Sequence, residues 1–285
     1  GKGDALDLEA RSRVSSIYMP DQKISMLPPV LAEGLCSLRA GAFRPAVSTL
    51  VKLGTDFELL DVDIVPSVVR VSDQLTYYDA NVSATTDPKL KVLLEFAREF
   101  RRRRLSQGAV QIILPEISIW LNEGREANFS LVNRESHGRL LVTEIMILAN
   151  WLMARHLADR SLPAVFRSQP KPRLRLYKGE EGTLFQHWMQ RRHLSRFVLG
   201  SKPEAHVGLG LDMYVTGTSP IRKYVDLVTQ RQIRAALGLE EPYTVEAIGS
   251  LLQLLEQPMA AVSRIQHHRH HYWLLRYLER CVGEQ

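Results

Sequence analysis

The residues with most chemical potential lie in one stretch, Gly208-Leu-Gly-Leu-Asp-Met-Tyr-Val-Thr-Gly-Thr-Ser-Pro-Ile-Arg-Lys-Tyr-Val-Asp226. Two glycines give a flexible approach to Thr218-Ser219-Pro220-Ile221-Arg222-Lys223. A helical pattern follows over 222–237. Ser219 before Pro220 predicts an N-cap followed by proline at the first helical position. Arg222 and Lys223 then fall in the first turn, where the helix dipole disfavours cations. A helix start with free N–H groups, two hydroxyls and two cations suits an anion, most simply a phosphate. The bland reading is that both cations are solvated surface charges.

Other groups are weighed in the same way. Asp61 and Asp63 share one face of a strand pattern; they could hold a metal, but more often such a pair is a solvated face. Glu144 lies in a helical pattern that is apolar almost all round, one turn from Leu140, Leu141, Ile147 and Leu148. A carboxylate there is costly unless paired or hydrogen-bonded. It has either a structural partner or a ligand that donates to it. Arg101 to Arg104 crowd a helix end, where they complement the dipole, face solvent or touch nucleic acid. His267 and His271 are one helical turn apart, as metal-ligating pairs can be, but no third ligand stands at a telling distance.

The elements that must position these residues follow from periodicity. Residues 4–13 read as a short helix, 14–19 as β-like and 30–34 as a short helix. Residues 46–53 and 57–71 read as a β-hairpin turning at Gly54-Thr55-Asp56. Residues 73–80 form a short helix or turn. Residues 87–104 form a helix started by Asp87-Pro88, its apolar face Leu90, Val92, Leu93, Phe96 and Phe100. Strands are predicted at 110–114, 118–121 and 129–132, then the longest helix, 139–158. Residues 161–175 are a Pro- and Arg-rich connector and 180–196 are helical. Two helices, 245–257 and 260–279, end the chain. The fold class is α+β, a mixed, mainly antiparallel sheet packed with several long helices.

Composition sets the outer limits. The 285 residues are 45% hydrophobic and 24% charged, enough for a sizeable core. A net charge of +6 suits a polyanionic partner. Cys36 and Cys281 have no metal spacing and fit a reducing compartment. There is no signal-peptide pattern, and the most apolar run, 145–154, is too short to span a bilayer. The expectation is a cytoplasmic monomer with no membrane association.

The order of the pieces is more specific than any one of them. Tyr18-Met-Pro-Asp and Met26-Leu27-Pro28 precede Gly34-Leu-Cys-Ser-Leu38. Arg101 to Arg104 with Gly108, Pro115-Glu116 and Ser136-His137 precede Glu144-Ile-Met-Ile-Leu-Ala-Asn150. Gly208-Leu-Gly-Leu and Thr218-Ser-Pro-Ile-Arg-Lys-Tyr224 close the series. Together they resemble the RNB catalytic domain of the ribonuclease II / ribonuclease R family of processive 3′→5′ exoribonucleases.

The resemblance runs essentially end to end. It implies hydrolysis of single-stranded RNA to nucleoside 5′-monophosphates by a two-Mg²⁺ mechanism. It also implies roles: Tyr18 packs on the 3′-terminal nucleotide, Glu144 hydrogen-bonds the terminal ribose, and Arg222 grips the scissile phosphate. Lys223 meets the neighbouring backbone, and Thr218 and Ser219 complete the phosphate turn.

Two departures stand out. The family's D-x5-D-x-D-D aspartate cluster is absent, and Asp4, Asp7, Asp61 and Asp63 do not reproduce it. No metal ligand is assigned in these residues; the Mg²⁺ ligands are expected upstream of Gly1. Residues 1–285 therefore read as a partial RNB domain, with that part and the flanking oligonucleotide-binding barrels expected outside it. Alone, the segment is expected to be inactive. His267 stands near where the family often has a glutamate. A non-catalytic RNA-binding relative without the metal site is the alternative.

Overall fold

The computed structural model describes residues 1–283. Among the described residues, strands occur as four antiparallel two-stranded units rather than one continuous sheet. Helix α1 (Ala5–Arg13) leads into β1 (Ile17–Tyr18) and β2 (Lys23–Ile24), and a single π-turn covers Val30–Leu35. The long hairpin β3 (Phe43–Leu53) and β4 (Leu59–Arg70) forms where β-branched residues were predicted, turning over Gly54 to Glu58. Then come α2 (Tyr77–Ser83), α3 (Pro88–Ser106), β5 (Glu116–Leu121), β6 (Ala127–Val132) and α4 (His137–Asp159). Last are β7 (Phe166–Ser168), α5 (Leu184–His193), β8 (Val198–Gly200), α6 (Tyr224–Ala236) and α7 (Val245–Arg280).

Local rules explain most of these elements. Asp87 caps α3 by accepting from the N–H groups of Lys89 and Leu90, with Pro88 at the first helical position. Thr76 and Thr183 form complete capping boxes at α2 and α5. Three differences from expectation have tertiary causes. Residues 110–114 form no strand: Val110 N–H donates to Gly208 C=O, Ile113 N–H to His187 Nδ1, and Gln111 C=O accepts from Tyr177. The 161–175 connector contains β7, paired with β8. The two predicted C-terminal helices are one, with Pro258 inside it. Proline there removes one backbone hydrogen bond. Contacts along both halves hold α7 through that gap: Ile248, Leu251 and Leu255 are buried, and Tyr277 meets Phe129 of β6 edge-on at 4.7 Å.

The core has three main clusters. Ala10, Val14, Val165, Tyr224, Val228, Ile248 and Leu255 join α1, α6 and α7. Ile64, Met153, Leu157, Phe166, Val215 and Ile233 join α4 to α6 and the long hairpin. Phe96, Phe100, Ile147, Leu148, Leu152 and Tyr214 join α3 to α4. Each large apolar side chain buried there contributes about 1.5–3 kcal/mol. Helix α4 serves two of these clusters and, through Leu140, a smaller one with Ala84, Leu94 and Ala97, which explains its nearly all-round apolar surface. By length and composition alone it could cross a membrane. Its packed sides, its buried ion pairs and its Asn150 hydrogen bonds are those of a core helix.

Candidate functional site

The 218–223 segment is built differently from the predicted helix cap. Helix α6 begins at Tyr224, not at Pro220. Ser219 C=O accepts from the N–H groups of Arg222 and Lys223 at 3.1 and 3.0 Å, closing a separate turn. Lys223 is extended, at φ −142° and ψ 123°. The cause lies far away in sequence. Tyr224 N–H donates to Val14 C=O at 2.7 Å and Ser16 N–H to Arg222 C=O at 3.0 Å. Ser15 and Lys223 form an antiparallel bridge. This pairing holds Lys223 out of the helix, so Ser219 is not the N-cap. It also occupies the first N–H of α6, and Asp226 supplies a carboxylate in the first turn. Arg222 and Lys223 are exposed on the turn ahead of the helix. Any anion held here meets those side chains rather than a bare helix start.

The turn is clamped from below. Ser219 N–H donates to Asp226 Oδ2 at 2.9 Å, and Ser219 Oγ accepts from Arg222 Nη2 at 3.2 Å. A chain of contacts therefore runs from the first turn of α6 to the Arg222 guanidinium. Gly217, just before the turn, is held at both ends: its N–H donates to Asn150 Oδ1 and its C=O accepts from Gln230. A Cβ on Gly217 would stand 2.7 Å from Met153 Sδ and 3.1 Å from Thr229 Cγ2, so any larger residue would require the Met153 side chain to move. Gly210 has a related reason. It is left-handed at φ +67°, with a Cβ position 2.4 Å from Arg104 C=O. The glycines allow close packing, where flexibility was expected.

The same pairing brings in Tyr18. It lies two residues beyond Ser16, half exposed, with Lys23 Nζ 5.8 Å from its ring centroid. The loop after it is tied to α7. Arg269 Nε donates to both oxygens of Asp21 at 3.0 and 3.1 Å, and this pair holds the Asp21 carboxyl below its usual range. Tyr18 therefore follows, two residues on, the segment whose backbone is paired with the turn that carries Thr218, Ser219, Arg222 and Lys223.

Beneath the turn lie buried polar atoms that find no partner among the described residues: Asp226 Oδ1, Arg167 Nε and His206 Nδ1. Asp226 is 1% exposed. Arg167 rests its guanidinium 4.0 Å from the Phe197 ring centroid. Burial lowers its pKa, with Tyr214 and Asp226 opposing the shift. His206 packs edge-on against Tyr214 at 5.5 Å. Burial, and then the charge of Arg167, push His206 down to about 4, so it is neutral at neutral pH. Buried polar groups are seldom left unpaired. Three in one neighbourhood mark a place where a polar ligand, water or another segment of chain completes the bonding.

Glu144 stands apart from this group. Its Oε1 accepts from Arg101 Nε at 3.0 Å and Arg104 Nη2 at 2.7 Å; its Oε2 accepts from Arg104 Nε and Nη2 at 3.0 and 2.6 Å. It is 1% exposed. Of the two readings of a carboxylate in an apolar helix, the structure displays the structural partner. Arg101 also pairs with Glu135, and Arg104 donates to Leu209 C=O. The arginine run is therefore split by helical phase: 101 and 104 face inward, while Arg102 and Arg103 pair with Glu99 at the surface. Glu144 lies six residues before Asn150, roughly 9 Å along α4.

The remaining candidates take the bland reading. Asp61 and Asp63 share an exposed face, Asp61 opposite Lys52. His267 and His271 stack at 6.3 Å on an exposed side of α7. Among the described residues, no three His, Cys, Asp or Glu side chains gather as a metal site. Asp226 offers a single free carboxylate oxygen. These residues do not fit a two-magnesium centre.

The arrangement is an α+β domain with an exposed cationic turn, a neighbouring tyrosine and incompletely bonded polar groups below. The chain belongs to the RNB-domain family, whose model matches residues 1–238. It is 36% identical over 290 residues to an uncharacterized ribonuclease of Synechocystis, covering 99% of this chain and 43% of that protein. The fold is similar to the apo form of Mycoplasma genitalium RNase R: TM-score 0.83, 18% identity, 98% of this chain and 52% of the other. That enzyme has also been solved with ribose methylated single-stranded RNA. Yeast Ssd1, described as a pseudonuclease, is similar at TM-score 0.77 and 19% identity, over 96% of this chain and 39% of Ssd1. The chain thus spans about half the length of these proteins or less.

Proposed function

We propose that the chain is the RNA-gripping part of a processive 3′→5′ exoribonuclease that releases nucleoside 5′-monophosphates from single-stranded RNA. The observation that carries this reading is the convergence of Tyr18 with Thr218, Ser219, Arg222 and Lys223 through the pairing of 14–16 with 222–224. Arg222 offers a fixed fork of donors for a phosphate, and Lys223 a second cation beside it. Tyr18 offers a ring face for the terminal base. Hydrolysis in this reading needs Mg²⁺ held by residues outside the sequence. The test uses the full-length protein, end-labelled single-stranded RNA and Mg²⁺. Arg222→Ala is expected to slow monophosphate release about 10²–10³-fold, the scale of losing one preorganised electrostatic donor. Equal rates for variant and wild type sink the assignment.

A second reading is a relative that binds RNA without cutting it. A relative described as a pseudonuclease shares this fold, which keeps the second reading open. The same assay separates the two: retention of RNA with no Mg²⁺-dependent product supports the binder.

A further inference from the structure

Helix α5 presents a face that the site described above does not use. Leu184, Phe185 and Trp188 are 62%, 68% and 47% exposed. With Arg191 and Arg192, also exposed, they fall at spacings i, i+1, i+4, i+7 and i+8. Those positions form one continuous stripe on a helix. The opposite side carries the buried anchors. His187 bonds Tyr177 through Nδ1, and Gln190 accepts from Leu176 N–H and donates to Leu174 C=O. The helix is thus fixed in rotation, and the aromatic stripe is held outward rather than being free to turn in.

The stripe has internal order. The Phe185 and Trp188 rings lie 6.2 Å apart at an interplanar angle of 30°. The Arg192 guanidinium sits 5.0 Å from the Trp188 ring centroid. Neither Arg191 nor Arg192 has a carboxylate partner among the described residues. No acid lies on this face. The acids nearest in sequence, Glu180 and Glu181, precede the helix, and Glu180 faces Arg101. A purely apolar partner would leave two guanidinium groups unmatched. An acidic protein surface would pair the arginines, but its carboxylates offer the rings no face to stack on. Stacked bases on a phosphate backbone match both features.

We propose that the outward face of α5 is a second contact for single-stranded RNA, on which bases stack against Phe185 and Trp188 while Arg191 and Arg192 meet phosphates. This rests on the proposed RNA substrate but not on catalysis. α5 makes no hydrogen bond or ion pair with the 218–223 turn among the described residues. In this proposal the contact takes RNA that extends beyond the turn.

The experiment measures binding of the full-length protein to unstructured RNA of about forty nucleotides and of about six, by fluorescence anisotropy with Mg²⁺ chelated. The double variant Phe185→Ala/Trp188→Ala is expected to weaken binding of the long RNA roughly tenfold and of the short RNA less than twofold. Arg191→Gln/Arg192→Gln is expected to lower the slope of log affinity against log salt by about 1.4, two phosphate contacts on a single strand. Unchanged long-RNA affinity in both variants overturns the proposal, as does an equal loss for both lengths. So does a change of oligomeric state in the aromatic variant at constant RNA affinity, which assigns the face to a protein contact. If wild type binds neither RNA, the substrate reading itself fails. Wild-type binding with unaffected variants fails only the α5 contact.

Discussion

Two buried charged clusters lie beside α4, one bonded to Glu144 and the other reached from Asn150 through Tyr214 and Gly217, and they are completed differently. Around Glu144 every carboxylate oxygen accepts from a guanidinium, from Arg101 and Arg104 on α3. Near Asn150, the set of Asp226, Arg167 and His206 leaves one polar atom of each unbonded among the described residues. The first cluster is closed and carries its own compensation for desolvation. The second is open, and it underlies the turn that bears Arg222. Burial of a charge alone does not distinguish structure from site. The remaining valence does.

The largest expected effect breaks the closed cluster. Glu144→Ala leaves two buried guanidinium groups without their shared acceptor, a loss of about 3–5 kcal/mol. Chemical denaturation of the variant should report it as a lower midpoint. If stability instead holds within about 0.5 kcal/mol while RNA affinity falls, the carboxylate is spent on ligand rather than on α3, and the contrast collapses.

That contrast also marks what could be read in advance. The apolar run with one carboxylate inside it raised the choice between partner and ligand for Glu144. The answer was partly visible too, since Arg101 and Arg104 are three apart on a helix and so share a face. What could not be read was distance in space. Nothing near Glu144 in sequence points to an arginine about forty positions earlier. The 218–223 turn failed for the same reason. Ser219-Pro220 is a sound local helix start, but pairing with residues more than two hundred positions away holds Lys223 extended. Periodic elements such as α3, α4 and the β3–β4 hairpin were legible because their own side chains specify them. Residues 110–114 were not, because side chains from α5 and its preceding loop occupy their backbone groups.

The open cluster gives the next effect, through pH. Folding lowers the pKa of His206 to about 4, chiefly through burial and then through the Arg167 charge, with Arg104 also facing it. In the unfolded chain the imidazole takes its ordinary value near 6.5. Between these values the unfolded state binds more protons, so stability falls as pH drops. The neutral histidine leaves stability intact above about 6.5, and roughly 3 kcal/mol is lost by pH 4. Urea denaturation of wild type and His206→Gln at pH 7 and pH 4 isolates this term. The variant is expected to lose that much less on acidification. Parallel losses in both proteins mean that His206 is already solvated, and that the open cluster is filled by water.

The smallest effect probes the link between the clamped turn and its cation. Ser219 Oγ accepts from Arg222 Nη2 at 3.2 Å, while the Ser219 backbone N–H is held by Asp226. Ser219→Ala removes the first contact and keeps the second, so the turn survives and only the guanidinium loses a restraint. One such hydrogen bond is worth about 0.5–1.5 kcal/mol. On the proposed exonuclease reading, the expected outcome is a threefold to tenfold drop in the full-length protein's kcat for monophosphate release, with the denaturation midpoint unmoved. A loss of stability in place of activity would make Ser219 part of the turn's scaffold, and Arg222 would then act without it. A loss in neither would mean that the guanidinium is oriented by its phosphate alone, so that the open cluster positions the backbone of the turn and not its charge.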